Sequence, residues 1–329
     1  MVNKNFIFTT ILLAVSIAVS LGLGEVFLRL KNANMHNYDI EMWRYAKELK
    51  GVSDNIRLGH EHIPSTTAVL QSVNIRINSD GLRGENIKPK QLNEKRILFL
   101  GSSITFGWGV EEEETLIGRL NRMFEKANSN TIVLNAGIGN YNAVRNTERF
   151  LTRLKHIDPD IIVVQYFVND AEVLEFTPGN WFLRNSQLAV TLWKAFNRLF
   201  KSTGEKVLID HYKAVYDSNA EGFQAMTVAL GRLSDFSREK GIRVFLVMTP
   251  DFHNLKKYPF EFIHSIMGML SRDLGFIYAD LLPAFTGHNA KSLWSLPGDP
   301  HPNSLGHELM AKMLFPVLQT IDAENKKLQ

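Results

Sequence analysis

From residue 96 onward, short runs of Ile, Val, Leu and Phe alternate with longer amphipathic stretches, and this pattern leaves the chain few folds to choose from. The apolar runs lie at 96–100, 131–134, 161–167, 243–248 and 276–279. Helical periodicity fills 114–127, 142–155, 221–240, 259–274 and 304–325. Strands that are apolar throughout, instead of alternating with polar residues, are buried on both faces. Strands separated by helices pair in parallel. The pattern predicts a three-layer α/β/α sandwich around a mainly parallel, flavodoxin-like sheet of five strands. In such sheets the working residues gather beyond the carboxyl ends of the strands. The sequence has no internal repeats and no low-complexity tracts.

Residues 6–24, FIFTTILLAVSIAVSLGLG, form an uncharged run of 19 residues ahead of this pattern. A helix needs about 20 such residues to cross a bilayer, and the run is long for the core of a signal peptide. No clear small-x-small cleavage site follows, so an uncleaved anchor is expected over 1–30. A polar approach segment over 31–94 is expected to pack on the main domain at 95–329. Lys4 precedes the span while Arg29 and Lys31 follow it, so flanking charge does not decide orientation. The main domain is read as lying outside the cytoplasm, on the periplasmic or extracellular face.

Composition removes several functions. A formal charge of +3, without basic clusters or aromatic platforms, argues against nucleic acid as a partner. The absence of cysteine excludes disulfides, thiol catalysis and thiolate metal sites. His60-Glu61-His62 resembles half of a metal site, but no third ligand is near in sequence, and a pair of surface histidines is the expectation. The stretch INSDGLRG, 77–84, reads as a strand and a turn in which Gly81 and Gly84 permit positive φ.

The strand ends carry the chemistry. The first runs into GSSITFGWG (101–109) and the second into NAGIGNYN (135–142). The third gives FVND (167–170), the fourth TPDFHN (249–254), and PGDPHPN (297–303) precedes the last helix. A phosphate loop needs a lysine after its glycines, and GSSITFGWG has none. What remains is a serine, histidines with nearby carboxylates, glycine backbone donors and an amide side chain. These are the parts of acyl transfer.

On these blocks the chain resembles the SGNH (GDSL-type) hydrolases, in particular membrane-anchored bacterial members. GSSITFG matches the family's Gly-Asp-Ser-x-Thr-x-Gly block with Ser102 in place of aspartate, which makes Ser103 the implied nucleophile. NAGIGNYN matches the second block, where Gly137 is the implied backbone donor. FVND matches Gly-x-Asn-Asp with Phe167 in place of glycine and Asn169 retained. DPH matches the final Asp-x-x-His with one residue fewer, implying Asp299 and His301. The resemblance covers roughly 83–311 and implies no cofactor and no metal.

It also implies a role for each residue. His301 is the base for the Ser103 hydroxyl, Asp299 orients the imidazole, and Pro300 restricts the loop between them. The Ser103 N–H, the Gly137 N–H and the Asn169 amide meet the oxyanion. The implied reaction is hydrolysis of an acyl ester, O-acetyl on an exported glycan or a lipid-linked substrate. Transfer to a polysaccharide hydroxyl, or a weakly active glycan-binding protein, are the alternatives. Asp251 and His253 form a rival acid–base pair, and His307 is expected at the surface or in the first turn of the last helix. An insertion at about 177–219 contains LAVTLWKAFNRLFK. It places Leu188, Leu192, Ala195, Phe196 and Leu199 on one helical face, opposite Lys194, Asn197, Arg198 and Lys201. Packing on the core is the expectation for that face, with a lid or an interfacial helix as the alternatives.

Overall fold

A computed structural model describes residues 4–175, 180–200 and 204–327. Helices α1 (Lys4–Lys31) and α2 (Tyr38–Glu48) come first. Two small pairings follow, β1 (Lys50–Val52) with β2 (His60–His62) and β3 (Thr66–Leu70) with β4 (Val73–Ile77). The alternating region then opens with β5 (Lys95–Gly101), α3 (Ser103–Phe106), α4 (Leu116–Lys126), β6 (Thr131–Asn135), α5 (Ala143–Arg149) and β7 (Ile161–Tyr166). Next come α6 (Trp181–Asn185), α7 (Gln187–Phe200), α8 (Glu205–Val215), α9 (Glu221–Lys240) and β8 (Arg243–Met248). The chain finishes with α10 (Glu261–Asp273), β9 (Ile277–Asp280), β10 (Trp294–Leu296), β11 (Asp299–Pro302) and α11 (Ser304–Lys327).

The chain divides into two compact units. One comprises 1–48, 70–72 and 178–202; the other comprises 49–69, 73–177 and 203–329. The insertion helices α6 and α7 thus belong with the N-terminal segment, and the approach segment is shared, its portion from Leu49 joining the larger unit almost entirely.

The larger unit holds the expected sheet of five parallel strands in the order β6-β5-β7-β8-β9. Its strands are apolar throughout because both faces are covered. On one face Leu98, Leu100, Ile162, Val164 and Leu246 pack with Phe150, Leu230, Leu233 and Met267 from the α5, α9 and α10 side. On the other, Ile97, Phe99, Val163, Phe245 and Val247 pack with Leu120 and Phe124 of α4 and Met310 and Leu314 of α11. Burying each such side chain contributes about 1.5–3 kcal/mol, so these two layers dominate the stability of the unit. The expected helix at 142–155 is not uniform: α5 passes into a π turn over Phe150–Leu154 and a 3₁₀ turn over Lys155–Ile157.

In the smaller unit none of the described residues of α1 is buried. Ile40, Leu183 and Val190 form a small core, with Trp43 and Ala189 packed against it. The apolar face expected to seat α7 on the core is not the buried one: Leu192, Phe196 and Leu199 are exposed while Val190 is buried. Lys201 lies outside the described residues.

Candidate active site

Strand β5 ends at Gly101, and the backbone turns at once into α3, with Ser102 as its N-cap and Ser103 as its first residue. The turn has no room for a side chain at Gly101, where a Cβ would stand 1.9 Å from Thr105 Oγ1 and 3.0 Å from Gln165 O. Ser102 is buried, its carbonyl accepts the Phe106 N–H at 2.9 Å, and its hydroxyl does not cap the helix. The far end of α3 is held by a buried arginine. Arg83 donates to Phe106 O (2.8 Å), Gly107 O (2.7 Å) and Val110 O (2.6 Å), taking up carbonyls that a helix end leaves unpaired.

The partner histidine comes from the β10–β11 hairpin, in which Leu296 pairs with Asp299. Ser103 Oγ lies 2.8 Å from His301 Nε2, and His301 Nδ1 lies 2.6 Å from Asp299 Oδ1. Asp299 is fully buried, and it also accepts from the His301 N–H at 3.2 Å and from Ser295 Oγ at 3.0 Å. A buried carboxylate facing Nδ1 fixes the proton there and leaves Nε2 as an acceptor for the serine hydroxyl. Asn303 braces the hairpin through Ser292 O and Trp294 O while its Oδ1 accepts the Gly306 N–H in the first turn of α11.

The loop after β6 packs directly on α3. A Cβ at Gly137 would stand 2.3 Å from Phe106 N, so this position is glycine for close approach. The Gly137 N–H donates to Asn135 Oδ1 at 3.0 Å, so in this conformation the expected oxyanion donor is already engaged. The loop is clamped from the approach segment. Lys50 Nζ (2.7 Å) and His60 Nε2 (3.1 Å) both donate to Gly139 O, and from the end of α5 Arg149 donates to Ala136 O at 2.8 Å. Burial, then the Lys50 charge, push the His60 imidazole down to about 3, so it serves as a neutral donor. His62 is fully buried, hydrogen-bonded to Gly81 O at 3.0 Å, and held well below the usual imidazole range by burial. The two are therefore not surface histidines. The expectation failed because their partners, Gly139 and Gly81, are remote in sequence. No group of three or more potential metal-binding side chains occurs among the described residues.

Asn169 lies in the turn after β7, and its amide oxygen is buried without a hydrogen-bond partner among the described residues. Beside it Asp170 accepts the Phe167 N–H at 2.5 Å, and burial, with a smaller contribution from Glu172, pushes its carboxyl up to about 8. Phe167, in place of a glycine, packs against the cores on both faces of the sheet.

The rival pair is real as a pair. His253 Nδ1 lies 2.9 Å and 3.0 Å from the two Asp251 oxygens, which raise its affinity for a proton. Its Nε2, however, makes no hydrogen bond among the described residues, so no hydroxyl is presented to it. His307 is fully buried, not a surface residue. Its Nδ1 accepts the Leu116 N–H at 3.0 Å, tying α11 to the start of α4, and burial pushes it down to about 3. Sequence reasoning missed Lys50, Arg83, Arg149 and Ser295. Arg83 had a faint signal, an arginine between glycines in INSDGLRG; the others had none. A cavity of about 810 Å³ lined by Lys90, Lys155, Asp158 and Asp160 lies at the opposite strand ends, away from Ser103.

A family model described as the GDSL-like Lipase/Acylhydrolase family matches residues 99–309. Among solved structures the chain is similar to a two-domain esterase active on acetylated mannans, with 18% identity, a TM-score of 0.45, and coverage of 70% of this chain and 50% of that one. It is also similar to a psychrotrophic esterase from Pseudoalteromonas sp., with 16% identity, a TM-score of 0.44, and coverage of 69% and 98%. A mutant acetyl-xylooligosaccharide esterase from Geobacillus gives 15% identity, a TM-score of 0.44, and coverage of 69% and 95%. The chain spans about half the length of the two-domain esterase, and none of the three speaks to its substrate. None of the curated proteins searched matches. The matched stretch is well over half of the 329 residues and carries Ser103, Gly137, Asn169, Asp299 and His301. The chain therefore belongs to the GDSL-like lipase/acylhydrolase family.

Proposed function

We propose that this protein is a serine esterase that cleaves an acyl ester through a Ser103 acyl-enzyme. The observation that carries the reading is the unbroken hydrogen-bonded line Ser103–His301–Asp299, with its terminal carboxylate fully buried. His301 Nε2 takes the hydroxyl proton as Ser103 Oγ attacks the ester carbonyl. The resulting imidazolium is stabilised by Asp299, then returns the proton to the departing alkoxide. Water, deprotonated by the same imidazole, attacks the acyl-enzyme, and the imidazolium returns that proton to Ser103 Oγ as the acid departs. The Ser103 N–H opens α3 and has no acceptor within its own helix. Together with the Asn169 amide it is the donor set for the oxyanion, each such donor contributing about 3 kcal/mol in the transition state. Gly137 joins that set only if the oxyanion displaces Asn135 Oδ1.

The substrate we propose is an O-acetylated exported glycan or a lipid-linked ester, met outside the cytoplasm by an enzyme held through α1. That helix is apolar and long enough to span a bilayer, as a signal sequence also is. Transfer to a sugar hydroxyl uses the same residues and differs only in the acceptor. A serine-directed phosphonate tests the core of the reading. It is expected to label Ser103, with Ser103→Ala abolishing both labelling and turnover of short aryl esters. Labelling at Ser102 overturns the assignment.

A further inference from the structure

The first turn of α7 is capped by a residue from α1. Glu25 Oε2 accepts from Ser186 Oγ (2.9 Å) and the Leu188 N–H (2.9 Å), and Oε1 accepts the Gln187 N–H at 3.1 Å. The leading N–H groups of a helix have no partner of their own, and here a carboxylate 161 or more positions away supplies it. Neighbouring contacts reinforce the joint. Arg29 pairs with Glu25 at 2.7 Å and donates to Asn185 O at 2.9 Å, while Asn32 donates to Gln187 Oε1 at 3.0 Å. Gly24 lies beside the Leu188 side chain, at ordinary van der Waals range: a Cβ there would be 3.7 Å from Leu188 Cδ2. The end of a helix of membrane-crossing length is thus pinned to the start of α7.

What α6 and α7 display beside that joint is apolar. Trp181 (69%), Phe182 (66%), Leu192 (58%) and Leu199 (80%) are exposed, and the exposure continues along α1 through Phe27 and Leu30. Single exposed apolar residues are ordinary, but a band of large ones on two adjoining helices marks an interaction surface. Next to it is a basic recess of about 160 Å³, lined by Arg29, Arg44, Lys47, Glu48 and Arg184. Arg44 is committed to Glu41 and Glu48. Lys47 makes no hydrogen bond or ion pair among the described residues, and Arg184 Nε is buried without a partner.

We propose that α6 and α7 form a platform lying in the headgroup layer of a phospholipid bilayer, with Trp181, Phe182, Leu192 and Leu199 entering the acyl boundary and Lys47 and Arg184 facing a lipid phosphate. The inference rests on α1 being a membrane anchor. The Glu25 joint selects the bilayer as occupant, because it fixes the apolar band at the point where the span ends. Tryptophan and cationic side chains around an apolar stripe are the residues that suit this layer.

Because the chain has no cysteine, single-site labelling is direct. Leu192→Cys and, separately, Leu199→Cys carry an environment-sensitive fluorophore. A control label sits at Val228→Cys, exposed on α9. The full chain is reconstituted into vesicles of phosphatidylcholine and phosphatidylglycerol containing a lipid spin-labelled near the headgroup. Both α7 labels should be quenched about twofold or more beyond the control. Glu25→Gln should remove most of that difference while the chain still floats with the vesicles and still turns over aryl esters. Quenching no greater than at Val228 in a floating chain overturns the platform and leaves the anchor standing. So does shielding of the α7 labels in detergent by self-association without vesicles. A chain that does not float overturns the anchor, and the platform with it.

Discussion

A serine, two histidines and two aspartates in this molecule show how residues of one chemical type acquire different roles from their surroundings. His301 and His253 each sit two residues beyond an aspartate and bond to it through Nδ1, yet only His301 meets a hydroxyl, Ser103 Oγ at 2.8 Å. His301→Ala should therefore lower kcat by several orders of magnitude, and His253→Ala should leave it within a few-fold. Measured kcat for the two variants checks the assignment, and the reverse result moves the site to the Asp251 loop. Titration gives a second contrast. Asp170 holds its proton up to about 8, whereas an unfolded aspartate releases it near 4, so between those values the native state binds one proton more. Its contribution to stability is complete at acid pH and lost as pH rises toward 8. Buried His60, His62 and His307 act oppositely. They stay neutral when folded but gain protons below about 6.5 when unfolded, so acid destabilises the fold. Three groups against one make stability rise from about pH 4.5 to 6.5. Above that, Asp170 makes it fall toward pH 8, assisted by the raised affinity of His253. Urea midpoints across this range should show the maximum near neutrality, and Asp170→Asn should flatten the alkaline limb.

Between elements, the site depends on how closely the loop after β6 rests on α3. Gly137→Ala sets a methyl group 2.3 Å from Phe106 N, and the loop must withdraw from the helix that carries Ser103. We expect a loss of about 1–3 kcal/mol of stability, as overpacking typically costs, with a fall in kcat of tenfold or more. Denaturant midpoints and aryl-ester kinetics on the same preparation check both halves; unchanged kcat would show that the contact does not position Ser103. This contact also shows where sequence reading stops. The five sheet strands and the residues at their ends were legible, because a parallel sheet covered on both faces imposes continuous apolar runs. The hairpin presenting Asp299 and His301 read only as a loop before the last helix, since three- and four-residue strands carry no periodicity. The clamps were illegible for another reason. Lys50 reaches Gly139 across 89 positions, and His307 reaches Leu116 across 191, so each looked like an isolated polar residue. The same applies to α7: its apolar stripe was visible, but which side of it is buried depends on Ile40 and Leu183, which periodicity does not connect to it.

For the whole molecule, the decisive question is which side of a membrane holds the larger unit. Helix α1 has 28 residues, about 42 Å at 1.5 Å per residue, enough to cross a hydrocarbon layer of about 30 Å with a turn or more to spare. Its flanking charges oppose each other, Lys4 on one side against Arg29 and Lys31 on the other, and Arg29 is ion-paired to Glu25, which weakens its vote. The charge rule therefore does not choose, and the chemistry has to. An esterase for exported glycans has no substrate in the cytoplasm, and a chain without cysteine is indifferent to an oxidising compartment. The expected arrangement keeps the span uncleaved, its amino-terminal side in the cytoplasm, and the residues beyond about 31 outside. A reporter fused after Gln329 should then be active only if it is of the kind that works outside the cytoplasm, and the protein should stay with the membrane through a high-salt wash. A cytoplasmic signal from that fusion would overturn the orientation and the exported-glycan substrate together, leaving the Ser103 chemistry untouched. A soluble fragment beginning near Gly24 would overturn the anchor, and the platform of α6 and α7 with it, but not the esterase, because an exported enzyme can reach the same ester without an anchor.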